Sequence, residues 1–435
     1  MADPALERNA SKKVLILTYY WPPAGGPGVQ RVLKFVKYLP EWGWEPHILT
    51  VKNGEYPALD PSLLKEIPEG VKVYATQSLE FFSLFKRLTG RNSQTPIETY
   101  ILNRKKAGWK DRLFAWIRQN LFLPDARLGW APFAFRKGME IIRKEQPALI
   151  FSSSPPHSLQ LTARRLASKS GLPWVADFRD PWTEAFWDKS MERTSWAAAR
   201  NKRMEQRVVT EADALITVSN GVQELLVKSP REHTYIIPNG YDAQDFSAKK
   251  EPSSRFRIVY AGHIAASQNP TRFFQAIAAL RTSFGDLLDI RFYGKADRET
   301  HEAIAREGVG DLVHLLPYLP HDQILTEIVN ADLLLLLIPA ENGKGILTGK
   351  VFEYLATRNF ILGIGDETGD AAGLLKTCRG GVMIDYDKDP APVLESQIRR
   401  WQESIPHEVN ANEILRYDRK TQAAQLAAIF DDLCN

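Results

Sequence analysis

The chain has 435 residues, of which 44% are hydrophobic and 25% charged, so it is an ordinary globular sequence long enough for two domains. Its net charge is only +4, and its two cysteines, Cys378 and Cys434, exclude a disulfide framework and a cysteine metal site. Residues 1–13 are too polar for a signal peptide and no apolar run reaches the ~18 residues of a membrane span, so we expect a soluble cytoplasmic protein.

Strands and helices alternate along the first half of the chain. Each short apolar run predicts a buried strand, and each amphipathic stretch after it predicts a helix. The predicted strands cover residues 14–17, 47–51, 148–152 and 173–178, and the predicted helices cover residues 29–39 and 158–169. This order is typical of a mostly parallel, doubly wound α/β sheet.

A strongly basic insertion occupies about residues 81–145. It holds fourteen Lys or Arg against five Asp or Glu, an excess of nine positive charges. Within it, aromatic and aliphatic residues recur at helical spacing from Trp109 to Leu121. A basic amphipathic helix of this kind suits an anionic membrane surface or an anionic acceptor. The alternative is a surface helix that buries its aromatic face in its own domain.

The α/β pattern restarts in the second half, after a polar stretch at residues 245–254. The predicted strands cover residues 255–262, 289–293 and 333–338, the predicted helices cover residues 273–280 and 324–329, and a last amphipathic segment covers residues 412–433. The organisation that follows is one Rossmann-like domain at residues 1–247, a second at residues 248–412 and a terminal helix at residues 413–435.

A Gly-rich loop, Gly25-Gly26-Pro27-Gly28, follows the first strand and opens a helix. Its spacing is not G-x-G-x-x-G, and no acidic residue ends the second strand to hold a ribose. The glycines therefore predict close approach of some ligand to the helix N-terminus, and they argue against a nicotinamide-dependent oxidoreductase.

The stretch Thr348 to Leu355 follows the most apolar strand and a loop with glycines. The first amides of its helix, the helix dipole and Lys350 together favour an anion. Glu353 lies on the same face and is able to accept hydrogen bonds from two hydroxyls. Phosphate and diol are what a nucleotide offers, whereas the alternative is a capped helix with an ion pair between Lys350 and Glu353.

Polar residues also follow two strands of the first half. His157, in the run from Ser152 to Ser158, stands where a strand enters a helix, and it is a candidate to bond a hydroxyl or move a proton. Asp177 and Asp180 flank Arg179, and this argues against a metal site because a fixed cation would lie between the ligands. Asp125 is a candidate to orient an acceptor hydroxyl or to form a turn.

Four stretches, in chain order, resemble motifs of the family 4 glycosyltransferases, which have the two-domain GT-B fold. The loop at residues 25–28 with the Gly43 turn is similar to the "GG … L … L … G" pattern, and residues 237–246 are similar to the PNG-x-D-x-x-x-F signature. Tyr260-Ala261-Gly262 resembles the strand and turn that begin the nucleotide domain. Residues 349–356, GKVFEYLA, resemble the K-x-x-E-Y-L-A form of the nucleotide-binding helix.

The resemblance implies two Rossmann-like domains facing across a cleft, with the final helix crossing back to the first domain. It implies retaining, metal-independent transfer of a sugar from a nucleotide-diphosphate sugar, with a UDP-sugar favoured and no further cofactor. The acceptor would be a saccharide, a lipid-linked glycan or a small molecule, bound by the N-terminal domain. The expected setting is bacterial cell-surface polysaccharide or glycoconjugate synthesis, with peripheral contact to the inner face of the membrane and no nucleic acid partner.

The resemblance also implies roles for particular residues. The reaction itself is assigned to His157, Arg179 and Asp180. Donor binding is assigned to Gly25, Gly26, Gly262, Lys295, Thr348, Gly349, Lys350 and Glu353. No residue is assigned to a metal.

Four places depart from the family pattern, and one of them is the neutral stretch at residues 267–269, where many members carry a lysine. Gly345 stands where many members carry a first glutamate, and His263 stands where many carry an arginine. Arg179 stands where many carry a histidine. Lys350, with Lys295, would then supply most of the positive charge for the diphosphate. Two alternatives remain open because of these departures, namely an enzyme resembling UDP-sugar 2-epimerases and a nucleotide-sugar-binding protein with weak catalysis.

Overall fold

The computed structural model describes residues 12–56, 58–79, 109–189, 191–229, 231–340, 343 and 345–435. Residues 81–108 of the basic insertion therefore lie outside the described residues. The chain forms two compact units. Unit 1 comprises Met1–Pro238 and Gln422–Asn435, and unit 2 comprises Asn239–Thr421.

Unit 1 is built on a parallel sheet of seven strands. The strands are β1 (Lys12–Leu17), β2 (Trp44–Val51), β3 (Lys72–Thr76), β4 (Leu149–Ser154), β5 (Trp174–Phe178), β6 (Ala214–Thr217) and β7 (Thr234–Ile236). Their order in the sheet is β3-β2-β1-β4-β5-β6-β7. The helices are α1 (Pro27–Tyr38), α2 (Trp109–Leu121), α3 (Ala131–Glu145), α4 (Ser158–Ser170), α5 (Phe186–Lys189), α6 (Ser195–Glu211) and α7 (Asn220–Leu226).

Unit 2 is built on a second parallel sheet, of six strands. The strands are β8 (Phe256–Ala261), β9 (Leu288–Tyr293), β10 (Val313–Leu316), β11 (Leu333–Leu337), β12 (Phe360–Ile364) and β13 (Gly381–Ile384). Their order is β10-β9-β8-β11-β12-β13. The helices are α8 (Thr271–Phe284), α9 (Arg298–Arg306), α10 (His321–Val329), α11 (Gly349–Thr357), α12 (Asp370–Cys378), α13 (Ala391–Gln402) and α14 (Ala411–Leu415).

Both sheets are buried on their two faces, which explains the continuous apolar runs of their central strands. Successive side chains of a strand point to opposite faces. In β1, Val14 and Ile16 join one hydrophobic cluster and Leu15 and Leu17 join the other. The five leucines of β11 divide between the two clusters of unit 2 in the same way.

The predicted terminal segment is two helices. Residues 417–419 pair with the backbone of Tyr241 instead of continuing a helix. The Tyr241 amide donates to the Tyr417 carbonyl at 3.0 Å, and the Tyr241 carbonyl accepts from the Arg419 amide at 2.8 Å. The last helix, α15 (Arg419–Cys434), then packs on the unit 1 core. Its Phe430 ring lies 5.2 Å from the Trp44 ring. None of the helices in the described ranges combines the length and apolarity needed to cross a bilayer.

Candidate functional site

In unit 2, the strand order places a switch point between β8 and β11. Strands β9 and β10 lie on one side of β8, and β11 to β13 lie on the other. In open parallel sheets, ligands bind beyond the carboxyl ends of the strands at such a point. Gly262 follows β8 and the stretch Thr348 to Lys350 follows β11, so these predicted residues meet at the switch point.

Lys350 lies directly against Gly262. Gly262 has φ +143°, which side chains rarely tolerate, and a Cβ there would collide with the Lys350 ammonium. The Lys350 Nζ lies 3.4 Å from the Tyr260 hydroxyl and 4.8 Å from the centre of the Tyr260 ring. Glycine at position 262 therefore leaves the space that the lysine occupies beside the end of β8.

The Lys350 ammonium has no carboxylate within ion-pair distance in the described part of the chain, where its hydrogen-bond partner is Tyr260. Burial lowers the pKa of Lys350 to about 8, and the charge of Glu353 works in the opposite direction. A largely buried cation with no contacting counter-ion is what an anionic ligand would neutralise.

The N-terminus of α11 adds donors at the same place. Thr348 is the N-cap residue, but its side chain makes no capping bond, and its buried Oγ1 has no hydrogen-bond partner. The first amides of a helix likewise have no intrahelical partner. Thr348, Gly349 and Lys350 therefore supply amides, a hydroxyl and an ammonium within three consecutive residues, which suits a phosphate group.

Glu353 has a partner that the sequence reasoning missed. Its Oε1 lies 3.0 Å from Nε2 of His321, the first residue of α10. Glu353 retains further acceptor capacity, since a carboxylate has about four lone-pair positions. No local pattern links residues 32 positions apart, so no sequence signal would have found His321.

Lys295 follows β9 and has an exposed side chain. Its carbonyl accepts from the Ile264 amide at 2.8 Å and lies 2.9 Å from His263 Nδ1. The backbone of Lys295 therefore holds the turn after β8. Its predicted role as a second cation for the diphosphate stays a prediction.

In unit 1, the corresponding switch point lies between β1 and β4. The loop with Gly25 and Gly26 follows β1, and the run of serines with His157 follows β4. Gly26 has φ +103° just before α1, and its carbonyl accepts from the Val29 amide at 3.0 Å. The predicted glycines thus lie in unit 1, and the other predicted donor-binding residues lie in unit 2.

Hydrogen bonds hold Arg179 against the β4 loop, which we define as Ser154 and residues 155–157 that follow it. Its Nε and Nη2 donate to the carbonyls of Ser154 and Pro155 at 3.0 and 2.7 Å. The adjacent Asp180 is partly buried, and burial raises the pKa of its carboxyl while the charge of Arg179 lowers it. The two predicted residues are therefore neighbours at the carboxyl end of β5.

Asp177 belongs to the interior of unit 1 and not to a metal site. It forms a two-bond ion pair with Arg31, at 2.8 and 3.0 Å, and accepts from Ser153 Oγ at 2.6 Å. Arg31 was not predicted, although a charged residue within the apolar stripe of α1 was a usable signal. Among the described residues, no three His, Cys, Asp or Glu side chains are grouped to hold a metal ion.

His157 stacks on Trp182, with ring centroids 4.7 Å apart. Burial lowers the pKa of His157 to about 3, against a hydrogen bond to the backbone of Pro181, so the ring is neutral at neutral pH. Its buried Nδ1 has no hydrogen-bond partner. A neutral ring is able to bond a hydroxyl, whereas a proton donor at neutral pH needs a higher pKa.

Asp125 caps helix α4 from a distant part of the chain. It accepts from the Ser158 amide and the Ser158 hydroxyl, both at 2.8 Å, and from the Arg127 amide at 2.9 Å. Of the two roles weighed for Asp125, the structure shows the structural one. This cap satisfies the Ser158 amide at the start of α4 and holds the β4 loop against Asp125.

Comparisons with known proteins agree with this architecture. The sequence profile described as Glycosyltransferase Family 4 matches residues 26–245. A search of curated protein sequences found no match. Among solved structures, the chain is similar to Anabaena Alr3699/HepE in complex with UDP, with 16% identity, a TM-score of 0.63, and 97% of this chain and 100% of that chain covered.

Two further structures show the same fold. A glycosyltransferase from Rickettsia africae has 13% identity and a TM-score of 0.61, with 97% of this chain and 98% of that chain covered. WaaG, a glycosyltransferase involved in lipopolysaccharide biosynthesis, has 13% identity and a TM-score of 0.54, with 96% and 99% covered. The predicted GT-B architecture of two Rossmann-like domains is confirmed. Because the family profile matches just over half of the sequence, the chain belongs to Glycosyltransferase Family 4 and is a glycosyltransferase.

Proposed function

We propose that this enzyme transfers a sugar from a UDP-sugar to a hydroxyl acceptor with retention of anomeric configuration and without a metal. The observation that carries the proposal is the Lys350 ammonium, which lies at the β8–β11 switch point beside the α11 N-terminus and lacks a contacting carboxylate in the described part of the chain. Breaking the bond between sugar and phosphate builds negative charge on the diphosphate. A cation of the chain itself then stabilises the leaving group.

Two solved structures support the choice of donor. The structures of Alr3699/HepE contain UDP in one case and UDP-glucose in another. In our proposal the diphosphate lies on Thr348, Gly349 and Lys350, and Glu353 accepts from the ribose hydroxyls. Gly262, at the end of β8, allows the lysine to approach.

The chemical step that we propose is a front-face transfer. The bond between the anomeric carbon and the β-phosphate oxygen breaks, and the acceptor oxygen bonds to the same face of that carbon. The acceptor proton passes to an oxygen of the leaving diphosphate. His157 and Asp180 then orient hydroxyls and do not carry the proton, which agrees with the low pKa of the buried His157 ring.

The acceptor that we propose is a saccharide or lipid-linked glycan of bacterial cell-surface polysaccharide synthesis, made at the cytoplasmic side. Two neighbours in structure have related descriptions, namely the lipopolysaccharide outer core galactosyltransferase WaaB and WaaG. WaaB shares 12% identity and a TM-score of 0.56 with this chain.

The first test is product analysis with a panel of nucleotide sugars and acceptors. We expect a new glycoside with retained configuration from a UDP-sugar, in the presence of a chelator, and Glu353→Ala is expected to raise KM for the donor at least tenfold. Lys376→Ala, an exposed lysine of α12, is the control. Sugar isomers formed without acceptor would instead indicate an epimerase, and donor binding without turnover would indicate a binding protein.

A surface of unit 1 supports the peripheral membrane contact that we include in the proposal. Helix α2 exposes Leu113, Trp116 and Leu121, each about half exposed. The Thr194 amide before α6 donates to Asn120 Oδ1 of α2, at 2.6 Å, and α6 exposes Trp196. Exposed Arg200, Arg203 and Arg207 follow Trp196 at helical spacing. Exposed aromatic residues beside arginines that form no ion pair within the described ranges suit an anionic lipid surface.

Replacing Arg200, Arg203 and Arg207 together by Gln is expected to weaken vesicle binding by about 1 kcal/mol per arginine. The measurement is co-sedimentation with vesicles of phosphatidylcholine alone and of an equal mixture with phosphatidylglycerol. The matched control replaces Arg298, Arg399 and Arg416 of unit 2 by Gln, which changes the net charge equally. Binding that does not depend on the anionic lipid would contradict the membrane contact.

A further inference from the structure

Arg179 is a buried cation with one unused hydrogen-bond donor. Its side chain is only 9% exposed, two of its nitrogens bond backbone carbonyls, and Nη1 has no hydrogen-bond partner. Carbonyl oxygens do not neutralise the charge. An unpaired donor and an uncompensated charge both reduce stability when buried. Ligand binding therefore explains them better than folding does.

The guanidinium group points at the first turn of α1. A Cβ at Gly28 would collide with Nη1, so the arginine fills the space that a side chain at position 28 would occupy. The amides of Val29 and Gln30 donate to the Gly26 carbonyl, and the Gly28 amide takes no partner among the described residues. Helix α1 has twelve residues and no acidic residue in its first turn. The positive end of its dipole therefore adds to the charge of Arg179.

Neighbouring carboxylates do not neutralise Arg179. Asp177 is committed to Arg31 and Ser153. Among the described residues no ion pair joins Asp180 to Arg179, although the charge of Asp180 favours the charged form of the arginine. Arg127 has its own counter-ion, Glu55, at 2.6 Å. Within the described residues, Nη1 and the Gly28 amide thus form two donors without an acceptor.

We infer that unit 1 contains an anion subsite, formed by Arg179 Nη1 and the Gly28 amide, which binds a phosphate or carboxylate group of the ligand. This inference rests on the proposed function, because it specifies the chemistry of a molecule that a transferase of this kind would handle. In the proposed function the diphosphate lies on Thr348, Gly349 and Lys350, so the anion bound here is a charged group on the acceptor or on the transferred sugar. Arg179 Nη1 is suited to a phosphate or a carboxylate because it donates charge-assisted hydrogen bonds to the oxygens of either group.

The test uses the full chain with inorganic phosphate as the probe, titrated by calorimetry. Wild-type protein is expected to bind phosphate, and Arg179→Gln is expected to raise the phosphate Kd at least tenfold. Gly28→Ala is a second variant with the same expected loss, because its Cβ displaces the guanidinium group. Arg165→Gln, which removes an exposed arginine of α4 in the same unit, is the matched control and leaves phosphate binding unchanged.

Saturating UDP separates this anion from the diphosphate. Phosphate binding that persists with UDP present supports a charged acceptor or sugar. If the sugar carries the charge, the preference for UDP-glucuronate over UDP-glucose falls in Arg179→Gln. Phosphate binding that UDP abolishes would overturn the inference, because the diphosphate would then be the anion at Arg179. An equal phosphate affinity in wild type, Arg179→Gln and Gly28→Ala would overturn the inference, whereas phosphate binding without sugar transfer would overturn only the proposed function.

Discussion

Lys350→Ala is expected to lower kcat/KM for the nucleotide-sugar donor by about 10²- to 10³-fold, which is the usual effect of removing one preorganised group from a developing charge. The ammonium lies beside Gly262 at the β8–β11 switch point, where Thr348 and the α11 amides complete the proposed phosphate site. Because burial has already removed its hydration, the cation needs little reorganisation when the leaving group becomes charged.

The rate should also depend on pH through this lysine. Burial lowers the pKa of Lys350 from its ordinary value to about 8, so the ammonium is present below that pH and lost above it. The kcat/KM for the donor should therefore fall as pH rises through about 8. A buried charge that the fold disfavours also contributes instability, so the free energy of unfolding should rise with pH between about 8 and the ordinary lysine pKa.

Three measurements separate this role from a structural one. Lys350→Met should unfold at a temperature no lower than wild type at neutral pH, because it removes a disfavoured charge. Lys376→Ala should leave both kcat/KM and its pH profile unchanged. Unchanged donor turnover in Lys350→Ala would show that the diphosphate lies elsewhere.

Arg31→Met is expected to reduce the free energy of unfolding by about 3–5 kcal/mol, the range measured when one partner of a buried ion pair is removed. Both side chains of the Arg31–Asp177 pair are fully buried. Arg31 also donates to the Pro238 carbonyl at 2.8 Å. The variant therefore leaves a buried carboxylate without a cation and a carbonyl without a donor.

A double variant gives the control. Arg31→Met with Asp177→Asn removes both charges, and it should recover most of the stability that the single variant loses because no ion is then buried alone. Urea unfolding at neutral pH, followed by a probe in unit 1, is the measurement. A loss of less than about 1 kcal/mol in the single variant would contradict the account of a dry, tightly coupled pair.

Local sequence patterns predicted the central strands of both sheets, namely β1, β2, β4, β5, β8, β9 and β11, but they did not predict β3, β6, β7, β10, β12 or β13. Strand β11 was predictable because five consecutive leucines suit a strand that is covered on both faces. The grouping of Thr348, Lys350 and Glu353 on α11 was predictable because a cap, an early lysine and a glutamate three residues later lie close together at the start of one helix. The predicted terminal segment was less accurate, since residues 417–419 pair with Tyr241 and divide it into two helices.

The sequence by itself therefore determined the α/β order, the two Rossmann-like domains and the helix that carries Lys350, since periodicity and helix-end chemistry are encoded within a few residues. Only the tertiary structure decided which polar groups meet. Arg31 and Asp177 are 146 positions apart, and His321 and Glu353 are 32 apart. Arg179 reaches Gly28 because β5 and β1 both end at the same edge of one sheet. Such contacts depend on strand order and packing, and these arise from the whole core rather than from any local pattern.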